Sequence, residues 1–98
     1  MIGKYVIVRA EAAGVHAGVL KSQSGRDVVL HDARRLWRWD VAPYGISLSD
    51  VAIHGPVGSR SRITAAVPEI LLPTAIEVIP CSADAERVIR AATVARPQ

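Results

Sequence analysis

Arginines and tryptophans alternate in one short stretch, and these are the residues of the sequence best suited to chemistry. Residues 33–39 read ARRLWRW, and two further arginines follow on a predicted loop. An arginine over a tryptophan ring gains cation–π energy, and the pair can sandwich a base while a second arginine binds phosphate. The pattern therefore predicts a site for an anionic ligand. Its predicted residues are Arg34, Arg35, Trp37, Arg38, Trp39, Arg60 and Arg62.

The same stretch also allows a purely structural interpretation. Read as a strand, it divides its side chains between two faces. One face carries Ala33, Arg35, Trp37 and Trp39, and the other carries Arg34, Leu36 and Arg38. The two tryptophans, roughly 7 Å apart along the strand, could be buried beneath the C-terminal helix, with arginines over apolar surface and their charged ends in water. Both interpretations hold if one tryptophan is in the core and the other lines an interface.

Catalytic and metal-binding patterns are missing from the sequence. The three histidines, His16, His31 and His54, stand on different predicted elements without metal-ligand spacing. His16 and His31 lie on adjacent predicted strands, where they could pair with each other or serve as cross-strand partners of other polar groups. No glycine-rich loop leads from a strand into a helix, and no nucleophile motif is present. The sequence therefore predicts a protein that is not an enzyme, with no metal and no cofactor.

The single cysteine, Cys81, excludes an internal disulfide and a cysteine-based metal cluster. Its position just before a predicted helix N-terminus would lower the pKa of the thiol and raise its reactivity. The alternative is a small side chain packed at the start of the last helix, and in that case the thiol is dispensable for function.

Composition predicts one globular domain over residues 1–98, with residues 95–98 as a frayed tail. Half of the residues are apolar, 21% are charged, phenylalanine is absent and the net charge is +3. Mild basicity and a preference for arginine over lysine are compatible with anionic partners. No apolar segment reaches the roughly 18 residues of a membrane span, and no secretory signal pattern is present. We therefore expect a cytoplasmic protein without a membrane partner.

The first half of the chain carries β-type patterns. Strands are predicted over residues 4–10, 15–21, 27–31 and 33–39, because β-branched residues recur there between turn signals. Apolar residues fall on both faces of the first strand, which predicts that it is covered on two sides or crosses a small barrel. Gly18 predicts a bulge or bend in the second strand, and Asp32 predicts a turn or bulge between the third and fourth.

The second half mixes two helices with proline-interrupted strands. A helix is predicted over residues 47–54, because Ser47 and Asp50 form a capping-box pattern, and another over residues 82 to about 93. A loop is predicted over residues 57–62, and edge or bulged strands over 63–67, 69–72 and 75–79. The fold class predicted is mainly β (α+β). It is a small, strongly bent antiparallel sheet or an SH3/Sm-like barrel, with one short internal helix and a C-terminal helix.

Five segments carry a family resemblance: KYVIVR (4–9), AGVHAG (13–18), ARRLWRW (33–39), SLSDVA (47–52) and EILLPTAIEVIPC (69–81). Through them the chain resembles a family of small proteins of tailed bacteriophages and prophages. The resemblance implies a phage setting and assigns no catalytic residue. Residues 16–35 also resemble, in rhythm, the middle strands of an Sm-like or SH3-like barrel.

Two function hypotheses from different classes follow. The first is a non-enzymatic, homo-oligomeric phage accessory protein that binds a small anionic ligand in the host cytoplasm. That ligand would be a host nucleotide immune signal, sequestered as a counter-defence sponge, or a nucleic acid. The second is a protein-binding or structural module, such as a virion accessory protein or an inhibitor of a host protein, since proline-broken edge strands invite pairing with another chain. A nucleotide hydrolase lacks any motif.

Overall fold

The computed structural model describes residues 1–97 of the chain. These residues form a mainly β fold, in which six antiparallel strands make one bent sheet that does not close, and two helices pack against it. The strands are β1 Tyr5–Ala10, β2 Gly14–Ser24, β3 Asp27–Arg38, β4 Arg62–Ile63, β5 Val67–Leu72 and β6 Ala75–Pro80. The helices are α1 Leu48–His54 and α2 Ala83–Ala91. The predicted fold class is confirmed, in its open-sheet form.

Strand β3 is the element around which the sheet is arranged. Along one edge it pairs with β2, and along the other it pairs first with β5 and then with the short β4. The strand order is β4-β3-β2-β1-β6. Strands β5 and β6 each pair with one neighbour only, in agreement with the predicted edge positions of the proline-interrupted strands.

The two strands predicted over residues 27–31 and 33–39 are one continuous strand in the structure. Asp32 has a positive φ of 50°, so the predicted bulge is present but does not end the strand. Gly18 in β2 stands opposite this region, and the β2–β3 register shifts there. A Cβ at Gly18 would lie 2.7 Å from the backbone oxygen of His31. Glycine is therefore needed at this position, because the β2 and β3 backbones leave no room for a side chain there.

Buried residues form two clusters, one on each face of β1. Tyr5 and Ile7 belong to the cluster under the helices, together with Leu36 and Ile89. The alternate residues of β1, including Val8, belong to the cluster on the opposite face of the sheet. The prediction that β1 is covered on both sides is confirmed, because both sets of its side chains are removed from water.

Local capping signals fix where the helices begin. The backbone N–H of Ser47 donates to Asp50 Oδ2 at 3.0 Å, which completes the predicted capping box of α1. Ser82 Oγ accepts from the backbone N–H of Ala85 at 3.0 Å at the start of α2. Helix α2 ends at Ala91, earlier than predicted, because Ala92 is extended.

After α2 the chain returns to the sheet beside β4. The backbone N–H of Ala95 donates to the Ile63 oxygen at 2.8 Å, and the Arg96 carbonyl accepts from Arg62. Residues 95 and 96 of the predicted frayed tail thus contact β4, and residue 98 lies outside the described residues. Strand β4 is shorter than predicted, and the loop predicted over residues 57–62 contains a 3₁₀ turn, Gly58–Arg60.

Candidate functional site

The two tryptophans lie in different environments. Trp37 is 69% exposed near the end of β3. Trp39 is half-buried and packs against the cluster under the helices. The prediction that both share one face is wrong, because β3 ends at Arg38 and the alternation of side chains ends with it. One tryptophan therefore packs on the core, and the other is available at the surface.

Arg62 lies against the exposed tryptophan. Its guanidinium carbon is 5.6 Å from the centre of the Trp37 ring, within the range of a cation–π contact. Strand β4 places it there, because Arg62 is the register partner of Arg38. The Arg62 guanidinium also donates to the backbone oxygen of Arg96, and its Nε is buried with no hydrogen-bond partner among residues 1–97.

Three arginines lie either within two residues of Trp37 on β3 or against its ring, and none of them pairs with a carboxylate among residues 1–97. Within residues 1–97, Arg35, Arg38 and Arg62 form no ion pair, whereas five other arginines do. Arg35 and Arg38 are exposed on the same strand as the tryptophan. We call Trp37, Arg35, Arg38 and Arg62 the Trp37 platform. It combines an exposed aromatic ring with three cations that form no ion pair in the described part of the chain, which is an arrangement suited to a planar anion.

Arg34, a predicted ligand-binding residue, lies in the interior at 6% exposure. Its Nη1 donates to the carbonyl oxygens of Ile89 at 2.7 Å and Ala92 at 2.8 Å, and its Nε donates to the Thr64 oxygen at 2.7 Å. The Ile89 and Ala92 carbonyls lie at the end of α2, where a helix leaves backbone acceptors without intrahelical partners, and the Thr64 carbonyl lies just after β4. Arg34 thus caps α2 and joins it to the sheet, outside the platform.

Arg60 also lies apart from the platform. Its Nη2 donates to the Ala42 carbonyl at 2.7 Å, and its Nε is 3.8 Å from Asp40 Oδ2. The structure therefore brings together four of the seven predicted residues. Arg60 holds the loop after β3, Arg34 caps α2, and Trp39 packs on the core.

A cavity of about 140 Å³ lies next to the platform and shares Arg35 with it. It is lined by His16, Ala33, Arg35, Thr64, Ala65, Val67 and Ile70. The sequence analysis did not predict this cavity. One of its walls is formed by the segment between β4 and β5, and no residue pattern in the sequence indicates that this segment packs there. Thr64 is fixed there by backbone pairing, since its N–H donates to the Arg35 oxygen at 3.0 Å.

His16 is the buried histidine of this cavity. It stands opposite Arg35 in the β2–β3 register, while His31 stands opposite Val19, so the two histidines do not pair with each other. The Nε2 of His16 lies 2.8 Å from the Ala13 carbonyl and must donate to it. Burial lowers the pKa of His16, the hydrogen bond to Ala13 opposes this, and the nearby Arg35 charge lowers the pKa further.

His31 and Cys81 have surroundings that indicate a structural role rather than a chemical one. His31 Nε2 is 2.9 Å from Glu69 Oε1, which also accepts from Lys21. Burial and, to a smaller extent, the Glu86 carboxylate together raise the pKa of Cys81 to about 12. The lowered pKa expected from a helix N-terminus is therefore wrong, because removal from water outweighs the helix dipole. Within the described part of the chain, no three His, Cys, Asp or Glu residues gather as a metal site.

Comparison with known proteins gives one match. A family model described as "Domain of unknown function (DUF6948)" matches residues 3–89. The match covers most of the chain, so the protein belongs to this family. Neither the comparison with curated proteins nor that with solved structures found a match. No helix within residues 1–97 is long and apolar enough to cross a membrane.

Proposed function

We propose that this member of the DUF6948 family is a non-enzymatic binding protein whose Trp37 platform takes an anionic ligand with a planar base. The observation that carries the proposal is an exposed tryptophan beside three arginines without carboxylate partners among residues 1–97. Tryptophan is enriched at interfaces, because it combines a large apolar ring with a polar N–H group, so an exposed tryptophan is well suited to contact a ligand.

Each platform residue has a distinct part in binding. Arg62 covers one face of the Trp37 ring, so a base would stack on the opposite face. Arg35 and Arg38 lie two residues before and one residue after Trp37 on β3, and both are exposed, so they would bind phosphates through their planar guanidinium groups. Stacking of one base on an aromatic side chain is worth about 1–3 kcal/mol. The charges steer the anion to the surface, and the ring holds the base.

The open shape of the platform favours a strand over an enclosed small molecule. A pocket that surrounds a whole nucleotide-sized ligand has a volume of about 300–1,000 Å³, and the adjoining cavity measures only about 140 Å³. Single-stranded nucleic acid is therefore the ligand that the geometry supports best. In a phage accessory protein, such binding would protect or sequester nucleic acid or a nucleotide signal in the host cytoplasm.

A matched pair of arginine variants tests the proposal. Fluorescence anisotropy with a labelled single-stranded oligonucleotide should show that Arg62→Ala weakens binding severalfold, while Arg60→Ala leaves it nearly unchanged. Both residues lie in the same segment and carry the same charge, but only Arg62 contacts Trp37. Equal effects of the two substitutions would show a general charge effect rather than a platform. Recovery of intact oligonucleotide after denaturation would support binding without hydrolysis.

A second candidate function is protein binding, favoured by an apolar surface around α1. Ile46, just before α1, is 94% exposed, and Tyr44 and Ile53 are exposed as well. The neighbouring cavity of about 350 Å³ is lined by Tyr44, His54, Gly55, Pro56, Val57 and Val88. This surface would suit self-association or a host protein. Light scattering of wild type and Ile46→Ser tests self-association. If the protein self-associates through this surface, the wild type should be an oligomer and the Ile46→Ser variant a monomer.

A further inference from the structure

The cavity beside the platform has apolar walls and a small set of polar groups. Ala33, Ala65, Val67 and Ile70 supply the walls, and His16, Arg35 and Thr64 supply the polar atoms. Arg35 belongs to both the cavity and the platform. Trp37 follows it by two residues on β3, roughly 7 Å further along the strand. A ligand could therefore occupy the cavity and the tryptophan ring together.

The volume of the cavity limits what can enter it. About 140 Å³ is close to the roughly 150 Å³ that accommodates one benzene ring in a protein interior. A single six-membered ring therefore fits, and the two fused rings of a purine exceed the space. Apolar walls suit the faces of such a ring and the methyl group of thymine.

The polar groups complement the edge of a pyrimidine. His16 donates its Nε2 hydrogen to Ala13, and in the neutral ring Nδ1 remains an acceptor. The lowered pKa keeps this ring neutral near pH 7. A pyrimidine edge offers an N–H group to such an acceptor. Arg35 forms no ion pair within the described residues, so its guanidinium is free to bind a phosphate at the mouth of the cavity.

We infer that the cavity binds a pyrimidine base of a single strand while the next base stacks on Trp37. Arg35 binds the phosphate that joins the two nucleotides. This inference rests on the proposed function and adds base selectivity to it. Stacking on a tryptophan alone would not exclude purines, because every base has a π face. A preference for pyrimidines therefore requires the cavity.

Anisotropy titrations with labelled oligothymidylate and oligoadenylate of equal length test the inference. Wild type should bind the thymidylate roughly tenfold more tightly or better. Ala65→Leu and Val67→Phe place bulk in the cavity and should remove this preference. Ala66→Leu is the matched control, because Ala66 is exposed next to Ala65 but does not line the cavity. It should keep the preference, and circular dichroism should show all variants folded.

The outcomes separate this inference from the proposed function. Equal affinity for the two oligonucleotides, or tighter binding of adenylate, would overturn the pyrimidine assignment and leave nucleic-acid binding intact. A preference that persists in both Ala65→Leu and Val67→Phe would place the selectivity elsewhere and also overturn it. If wild type bound neither oligonucleotide at low salt, the proposed function would fail, and the inference with it.

Discussion

The guanidinium carbon of Arg62 lies 5.6 Å from the centre of the Trp37 ring. Pairing of β4 with the end of β3 creates this contact between residues far apart in sequence. Since Arg62 covers one face of the ring and the strand leaves the side chain 69% exposed, the opposite face remains open to a ligand. The contact with Arg62 therefore leaves the Trp37 ring at the protein surface, where a ligand can reach it.

The different environments of the tryptophans predict different costs of truncation. Trp39→Ala should lower the free energy of unfolding by about 2–3 kcal/mol, because it leaves a gap against the core. Trp37→Ala should change it by less than about 1 kcal/mol, because the side chain is mostly exposed. Urea denaturation followed by circular dichroism measures both. Equal losses in the two variants would contradict the assignment of Trp39 to the core.

The buried Arg34 predicts a large stability effect without a direct binding effect. Arg34→Ala removes the donors for the Ile89, Ala92 and Thr64 carbonyls and should cost about 2–3 kcal/mol. Arg87→Ala is the control, since Arg87 is an exposed arginine on α2 paired with Asp84, and it should cost less than about 1 kcal/mol. Thermal denaturation compares them. A fully stable Arg34→Ala variant would show that α2 does not need this cap.

These cases show which features sequence could predict. Local signals predict β1 and the start of both helices. Strand β1 is rich in β-branched residues, and each helix begins after a serine cap. The inward position of Arg34 has no local signal, because its acceptors lie at the end of α2, far along the chain. The platform was predicted in part, since alternation places Arg35 and Trp37 on one face. The cavity depends on tertiary closure by the β4–β5 segment and could not be predicted.

Burial of His16 predicts a dependence of stability on pH. Its pKa in the folded protein is lowered from the ordinary value of 6.5, so near and below pH 6.5 the unfolded chain binds more protons than the folded one. The stability contributed by the neutral ring is complete above pH 6.5 and falls as the pH is lowered through the folded pKa. Urea denaturation at pH 7.5 and pH 5.5, both chosen on the order of one unit from that value, should show a loss in wild type that is smaller in His16→Gln. Identical losses would indicate that other groups cause the acid sensitivity.

The half-buried thiol of Cys81 should be unreactive in the folded protein. Its pKa is raised to about 12 by burial and by Glu86, so the thiolate that reacts with disulfide reagents is scarce at neutral pH. A colorimetric thiol reagent should label the native protein much more slowly than the unfolded chain. Cys81→Ser should retain oligonucleotide binding. Rapid labelling of the native state, or loss of binding in a folded Cys81→Ser variant, would contradict a packing role.

The most direct test of the account is the salt dependence of single-stranded oligonucleotide binding in wild type and Trp37→Ala. Contacts from Arg35 and Arg38 to two phosphates predict a slope of about −1.4 for the logarithm of the binding constant against that of salt concentration. Trp37→Ala should keep a similar slope while binding roughly tenfold more weakly, because stacking is lost and the charges remain. Absence of binding at low salt, or binding that neither salt nor Trp37→Ala affects, would contradict the platform.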